Sequence, residues 1–110
     1  MKFQHKELLN GRWKNLSLAE QLANIGSEVG RAIRWQGRDE KLFWGAIERA
    51  LELFYLTIED IRWRRRLKEF TRLREIFCDA VLGGREYGSR LADVERYLFY
   101  FALLSKKTRF

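Results

Sequence analysis

The sequence predicts an all-α protein, a four-helix up-down-up-down bundle that assembles as a homo-oligomer. The chain has no proline, and most of its glycines separate stretches whose apolar residues recur every three or four positions, the period of an α-helix. Four such stretches are joined by short connections, which favours antiparallel neighbours. The third observation is a surplus of apolar surface beyond what four helices bury in a monomer, which favours self-association.

A single helical domain should span residues 1–110, since no internal repeat or low-complexity linker separates a second one. We expect an N-terminal arm at 1–14 and a basic tail at 106–110. The predicted helices cover about 17–36, 40–58, 61–82 and 89–105.

The stretch from Leu42 to Ile58 should form the central helix. Its apolar residues spread over roughly 220° of a helical wheel, against ~100° for an ordinary surface helix. Such an arc needs at least two neighbours. Glu48 and Glu52 lie one turn apart on the polar remainder, where they could share a metal ion, but a solvated strip is the favoured interpretation.

The ends of the helices have recognisable signals. Ser17 and Glu20 fit a capping box at the start of the first helix. Gly37 should end that helix in a left-handed conformation. We expect Asp39, Asp60 and Ser89 to be the N-caps of the second, third and fourth helices. Gly83 and Gly84 should end the third helix.

Two further features of the predicted helices concern packing. In the first helix, Ala19, Ala23, Gly26 and Gly30 form a stripe of small residues that would let aromatics of a neighbour approach closely. In the third helix, a core stripe recurs at helical spacing. Its members are Leu67, Phe70, Leu73, Phe77, Ala80 and Val81.

Aromatic residues suggest two contacts beyond the core. Trp13 stands between two cations, so it could stack on a base, but pinning the arm to the domain is the favoured interpretation. The last two turns of the fourth helix are apolar on every side, which predicts a subunit interface there. The predicted interface residues are Tyr97, Tyr100, Phe101 and Leu104.

The charge of the chain indicates an anionic partner. With a formal net charge of +7 and a pI near 9.9, nucleic acid or an anionic membrane surface would be favoured. A basic segment opens the third helix and could bind phosphates, although ion pairs with neighbouring acids or simple solubility would also explain it. The predicted nucleic-acid-binding residues are Arg62, Arg64, Arg65, Arg66, Lys68 and Arg72.

Candidate catalytic residues are few. Acid-base or metal chemistry requires histidines, cysteines or paired carboxylates that converge on one site, and the chain has one histidine, His5, and one cysteine, Cys78. We therefore predict no enzyme activity, no metal and no cofactor. No apolar run is long enough to span a bilayer, so a soluble cytoplasmic protein without a membrane partner is expected.

In helix number, size, basic charge and aromatic content, the chain resembles the accessory variability determinant of diversity-generating retroelements. It is similar in the same way to the four-helix-bundle proteins encoded in ribosomal RNA intervening sequences. Proteins of that group form ring-like pentamers whose basic surface engages a reverse transcriptase and its template RNA. The resemblance implies a non-catalytic accessory protein that binds RNA, in preference to DNA, together with a protein partner such as a reverse transcriptase. The alternative is an oligomeric scaffolding bundle that does not bind nucleic acid.

Overall fold

The computed structural model describes residues 11–108 and the side chains of residues 11–106. Most of the predicted arm, including His5, and the end of the predicted tail lie outside this range. The described chain contains helices and no strand, which confirms the all-α prediction. Its main elements are α1 (Leu18–Trp35), α2 (Glu40–Glu59), a 3-10 segment (Ile61–Arg66), α3 (Leu67–Val81) and α4 (Leu91–Thr108).

Helix α1 has the most extensive packing, because it lies along both α2 and α4. Helix α2 contacts α1, the 3-10 segment and α3, and α3 also contacts α4. The expectation that α2 needs at least two neighbours is therefore confirmed. Glu52, expected in a solvated strip, is instead buried with 6% of its surface exposed.

Small residues explain why α1 and α4 approach so closely. A methyl group added to Gly26 would lie 3.0 Å from the ring of Phe99, and one added to Gly30 would lie 2.6 Å from a carboxylate oxygen of Glu95. These two contacts also show that the helices are antiparallel, since the later α1 residue meets the earlier α4 residue. The predicted aromatic contact with the small-residue stripe is confirmed at Gly26.

The predicted signals at the first two helix starts are confirmed. The Ser17 hydroxyl accepts a hydrogen bond from the Glu20 amide, and the Glu20 carboxylate accepts one from the Ser17 amide. The carboxylate of Asp39 accepts from the amide of Leu42 at 3.0 Å. Gly37 has a φ of 75°, as a left-handed residue after a helix requires.

The third predicted helix differs most from expectation, because residues 61–66 form a 3-10 segment and the α-helix begins only at Leu67. Trp63 lies outside the helical region, with φ −108° and ψ 16°, and Arg66 has nearly the same angles. At Trp63 the cause is a tertiary contact, since its indole N–H donates to the side chain of Gln21 at 2.9 Å. Leu67, predicted in the core stripe, is 42% exposed, and the buried stripe starts at Phe70.

The fourth helix also begins and ends differently. Ser89 was expected as its cap, but the helix starts at Leu91, and the Asp93 carboxylate accepts the Arg90 amide at 2.8 Å. The helix therefore starts two residues after the predicted position 89. At the other end the helix continues to Thr108, so residues 106–108 of the predicted tail are helical.

A buried polar cluster joins the chain before α1 to the end of α2. Gln21 is fully buried, and its amide nitrogen donates to the carbonyl of Trp13 at 2.9 Å and to the carboxylate of Asp60 at 3.0 Å. The side-chain oxygen of Gln21 accepts the hydrogen bond from the indole N–H of Trp63. The Trp13 indole in turn donates to the hydroxyl of Thr57 at 3.0 Å. Trp13 is only 4% exposed, so the interpretation that it pins the arm is confirmed.

Asp60 is the charged member of the polar cluster. Its carboxylate is 5% exposed and accepts hydrogen bonds from the backbone and the guanidinium of Arg62, in addition to the one from Gln21. Burial raises the pKa of this carboxyl, but the hydrogen bonds from Arg62 and Gln21 outweigh it, so the pKa lies below its ordinary value. The ionised carboxylate therefore stabilises the fold.

The lowered pKa of Asp60 predicts a loss of stability in acid. Because the folded pKa lies below the unfolded value of ~3.9, the contribution is complete above that value and disappears as the pH falls through the folded pKa. Urea denaturation of the wild type and Asp60→Asn across pH should therefore show a difference in the free energy of unfolding that is constant above about pH 5 and shrinks below about pH 4. A difference independent of pH would contradict this assignment.

Candidate nucleic-acid interface

The 3-10 segment determines where its arginines point. A 3-10 helix has three residues per turn, so residues three apart lie on the same side. Arg66 shares a side with Trp63, and both are partly buried. Arg64 shares a side with Ile61, which is 75% exposed. Arg64 is therefore directed into solvent, whereas Arg66 is turned toward the protein.

Two of the six predicted binding residues have their guanidinium groups held by other residues of the chain. A guanidinium nitrogen of Arg62 lies 2.7 Å from Asp60 and also donates to the carbonyl of Leu16 at 2.9 Å. Arg66 pairs with Glu69 at 2.8 Å, and its guanidinium lies over the ring of Phe70. Arg62 stabilises the chain at the end of α2 and Arg66 stabilises the start of α3, so both side chains contribute less to an external surface.

The other four predicted residues are exposed, and their side chains form no hydrogen bond or ion pair within the described part of the chain. They are Arg64, Arg65, Lys68 and Arg72. Lys68 and Arg72 lie one turn apart on α3 and share a face. Arg64 and Arg65 lie on the 3-10 segment that precedes α3, so the four exposed cations follow one another along a single stretch of the chain. We refer to these four residues together as the basic surface.

Three acids near the basic surface have other partners. Glu69 is paired with Arg66. Glu75 accepts a hydrogen bond from the Tyr87 hydroxyl at 3.1 Å, which raises the pKa of that hydroxyl. Asp79 accepts the backbone amides of Glu86 and Tyr87. The acidic end of α3 therefore anchors the following loop, and none of these three acids forms an ion pair with the exposed cations of the basic surface.

The aromatic end of α4 lies beside the basic surface. Tyr97 is 50% exposed and stacks on Phe101, with ring centroids 5.8 Å apart. Phe101 is partly buried against the core, whereas Tyr100 and Leu104 are exposed on the outer side of α4. Tyr97 and Phe101 line a groove between α3 and α4 that Arg72 also lines. The sequence does not predict this proximity, because it depends on how α3 is aligned with α4.

Other candidate chemistry gives no second site in the described residues. Burial raises the pKa of the Cys78 thiol, as expected for a structural cysteine. Across residues 11–108, no three histidine, cysteine or acidic side chains are close enough to hold a metal ion. No helix in that range has the length and apolarity needed to cross a membrane.

No protein-family model matches this chain, and no curated protein or solved structure shows significant similarity to it. A function for this chain is therefore inferred from the position and charge of its described side chains.

The different surroundings of the arginines predict different effects on stability. Arg62→Ala removes the partner of a buried carboxylate and should lower the free energy of unfolding by about 1–3 kcal/mol. Arg65→Ala is the matched control and should change it by less than about 0.5 kcal/mol. Urea denaturation near neutral pH measures both. Equal losses for the two variants would show that Arg62 does not support the polar cluster.

Proposed function

We propose that this protein is a non-catalytic accessory protein that binds nucleic acid, with RNA preferred over DNA. The observation that carries the proposal is the basic surface formed by Arg64, Arg65, Lys68 and Arg72, none of which forms an ion pair with a described acid. Cations of this kind bind phosphates and release condensed counterions, largely independently of sequence. The net charge of +7 adds a long-range attraction.

The resemblance to retroelement accessory proteins supplies the preference for RNA and suggests a protein partner. A reverse transcriptase engaged with its template RNA is the partner of that group, and a cytoplasmic location fits such a complex. The resemblance rests on helix number, size and charge.

The arrangement of the helices and the assembly of several copies of the chain are part of the same proposal. We infer that the four helices form an up-down-up-down bundle, since each of α1 to α4 contacts two of the others and α1 and α4 are antiparallel. The outer side of α4 would join copies of the chain, because Tyr100 is 57% exposed and Leu103 is 53% exposed. Several basic surfaces in one oligomer would increase the overall affinity for a long nucleic acid.

An oligomeric scaffold without nucleic-acid binding is the alternative function. The exposed apolar side of α4 favours self-association whether or not the basic surface binds anything. Salt-dependent binding to nucleic acid separates the two functions.

The basic surface should bind nucleic acid with a steep dependence on salt. If about three to four phosphates are neutralised per protomer, the slope of log affinity against log salt should be near −2 to −4. Replacing Arg65, Lys68 and Arg72 together by alanine should flatten this slope and leave the melting temperature nearly unchanged. Fluorescence anisotropy with a labelled RNA over a salt series measures the slope.

The matched control replaces Arg34, Arg38 and Lys41 by alanine. These exposed residues carry the same charge and lie around the turn between α1 and α2. The control should retain most of the slope. Equal losses in the two triple variants would indicate a general charge effect, and wild-type binding by the first variant would exclude the proposed surface.

Self-association through α4 predicts a measurable mass. Light scattering coupled to gel filtration should give a multiple of the 13.3 kDa protomer at tens of micromolar. Tyr100→Asp should reduce the mass because a charge would enter an apolar interface. Leu82→Asp is the control, since Leu82 is exposed beyond the end of α3. A monomeric wild type would contradict the oligomer.

A further inference from the structure

We propose that the groove between α3 and α4 takes an unpaired base of a single-stranded nucleic acid, which stacks on Tyr97 while Arg72 and Lys68 contact the adjoining phosphates. This inference rests on the proposed nucleic-acid binding and narrows its ligand to single strands. It joins an exposed aromatic side chain to two cations that form no ion pair with any residue the structure describes.

Tyr97 has the properties of a stacking platform. Half of its surface is exposed, and its ring is within 19° of parallel to that of Phe101. Phe101 packs against the core, so the contact orients the Tyr97 ring before any ligand binds. Little conformational entropy is then lost on binding, which is the general advantage of a preorganised aromatic. Stacking on such a ring accepts every base, because each base has a π-face.

The groove has the size and lining for one planar ring. Its volume is about 210 Å³, below the roughly 300–1,000 Å³ of sites for drug-sized molecules. Leu73 and Ile76 contribute apolar surface from α3, and Tyr97 and Phe101 contribute it from α4. A base in a duplex is already stacked and paired, so a single strand fits this site better.

The charges around the groove favour a polyanion. Arg72 lines it, and Lys68 lies one turn earlier on the same helix. Glu69 is the only carboxylate among the lining residues, and its charge is paired with Arg66 at 2.8 Å. The groove therefore combines an apolar surface with a positive edge, as single-strand binding sites do.

The same charges disfavour a second copy of the chain as the occupant. In a two-fold symmetric contact, identical surfaces face each other, so Arg72 and Lys68 would approach their own symmetry mates. The outer side of α4 suits contact between copies better, because Tyr100 and Leu103 are more than half exposed there and the neighbouring Arg96 is paired with Asp93 at 3.2 Å. The groove and that outer side can then serve different partners.

Fluorescence anisotropy with two labelled strands tests the proposal. One is dodeca-adenylate, and the other has the same number of phosphates but abasic sugars. The wild-type protein should bind the adenylate strand roughly fivefold to a hundredfold more tightly. Tyr97→Leu removes the ring and should abolish the difference. Tyr97→Phe keeps the ring and should preserve it.

The remaining outcomes separate the two proposals. Equal affinity of the wild type for both strands would overturn base stacking and leave phosphate binding intact. Binding of neither strand would overturn the proposed function itself. Light scattering on the Tyr97 variants tests whether Tyr97 instead contacts a second copy of the chain. A loss of oligomer mass in Tyr97→Leu would assign the ring to that contact and overturn the proposal.

Discussion

The buried side-chain amide of Gln21 is the interaction on which the rest of the structure depends. It joins three parts of the chain, since it contacts Trp13 before α1, Asp60 after α2 and Trp63 in the 3-10 segment. Among the described side chains, no buried polar atom lacks a hydrogen-bond partner. A fully paired cluster of this kind specifies one arrangement of the chain, because each broken bond leaves a buried group unsatisfied.

The polar cluster also arranges the basic surface. With Trp63 held by Gln21, and Arg62 by Asp60, the segment adopts a 3-10 conformation that turns Arg64 into solvent. The α-helix then starts at Leu67, which places Arg72 beside Tyr97 in the groove. Stability and proposed binding thus use neighbouring residues of one segment, and the partners of each arginine distinguish the two roles.

Local signals allowed much of the fold to be predicted from the sequence. The capping box at Ser17 and the left-handed Gly37 depend only on neighbouring residues, so both are confirmed. The 3-10 segment depends on a contact between Trp63 and Gln21, which are 42 positions apart, and a local helical period cannot reveal it. The sequence does not reveal the groove between α3 and α4 either, because side-chain packing sets how these two helices are aligned. The sequence identifies the six basic residues as candidates for binding nucleic acid. It does not show that Arg62 and Arg66 are paired within the chain while the other four are exposed.

The most direct test of whether the basic surface binds nucleic acid is photocrosslinking. A thiouridine-containing RNA strand is crosslinked to the 110-residue protein, and the crosslinked peptides are identified by mass spectrometry. Crosslinks should concentrate within 64–76 and 97–101, and should diminish at high salt because phosphate contacts provide the affinity. Crosslinks confined to the turn between α1 and α2, or unaffected by salt, would contradict the proposed interface.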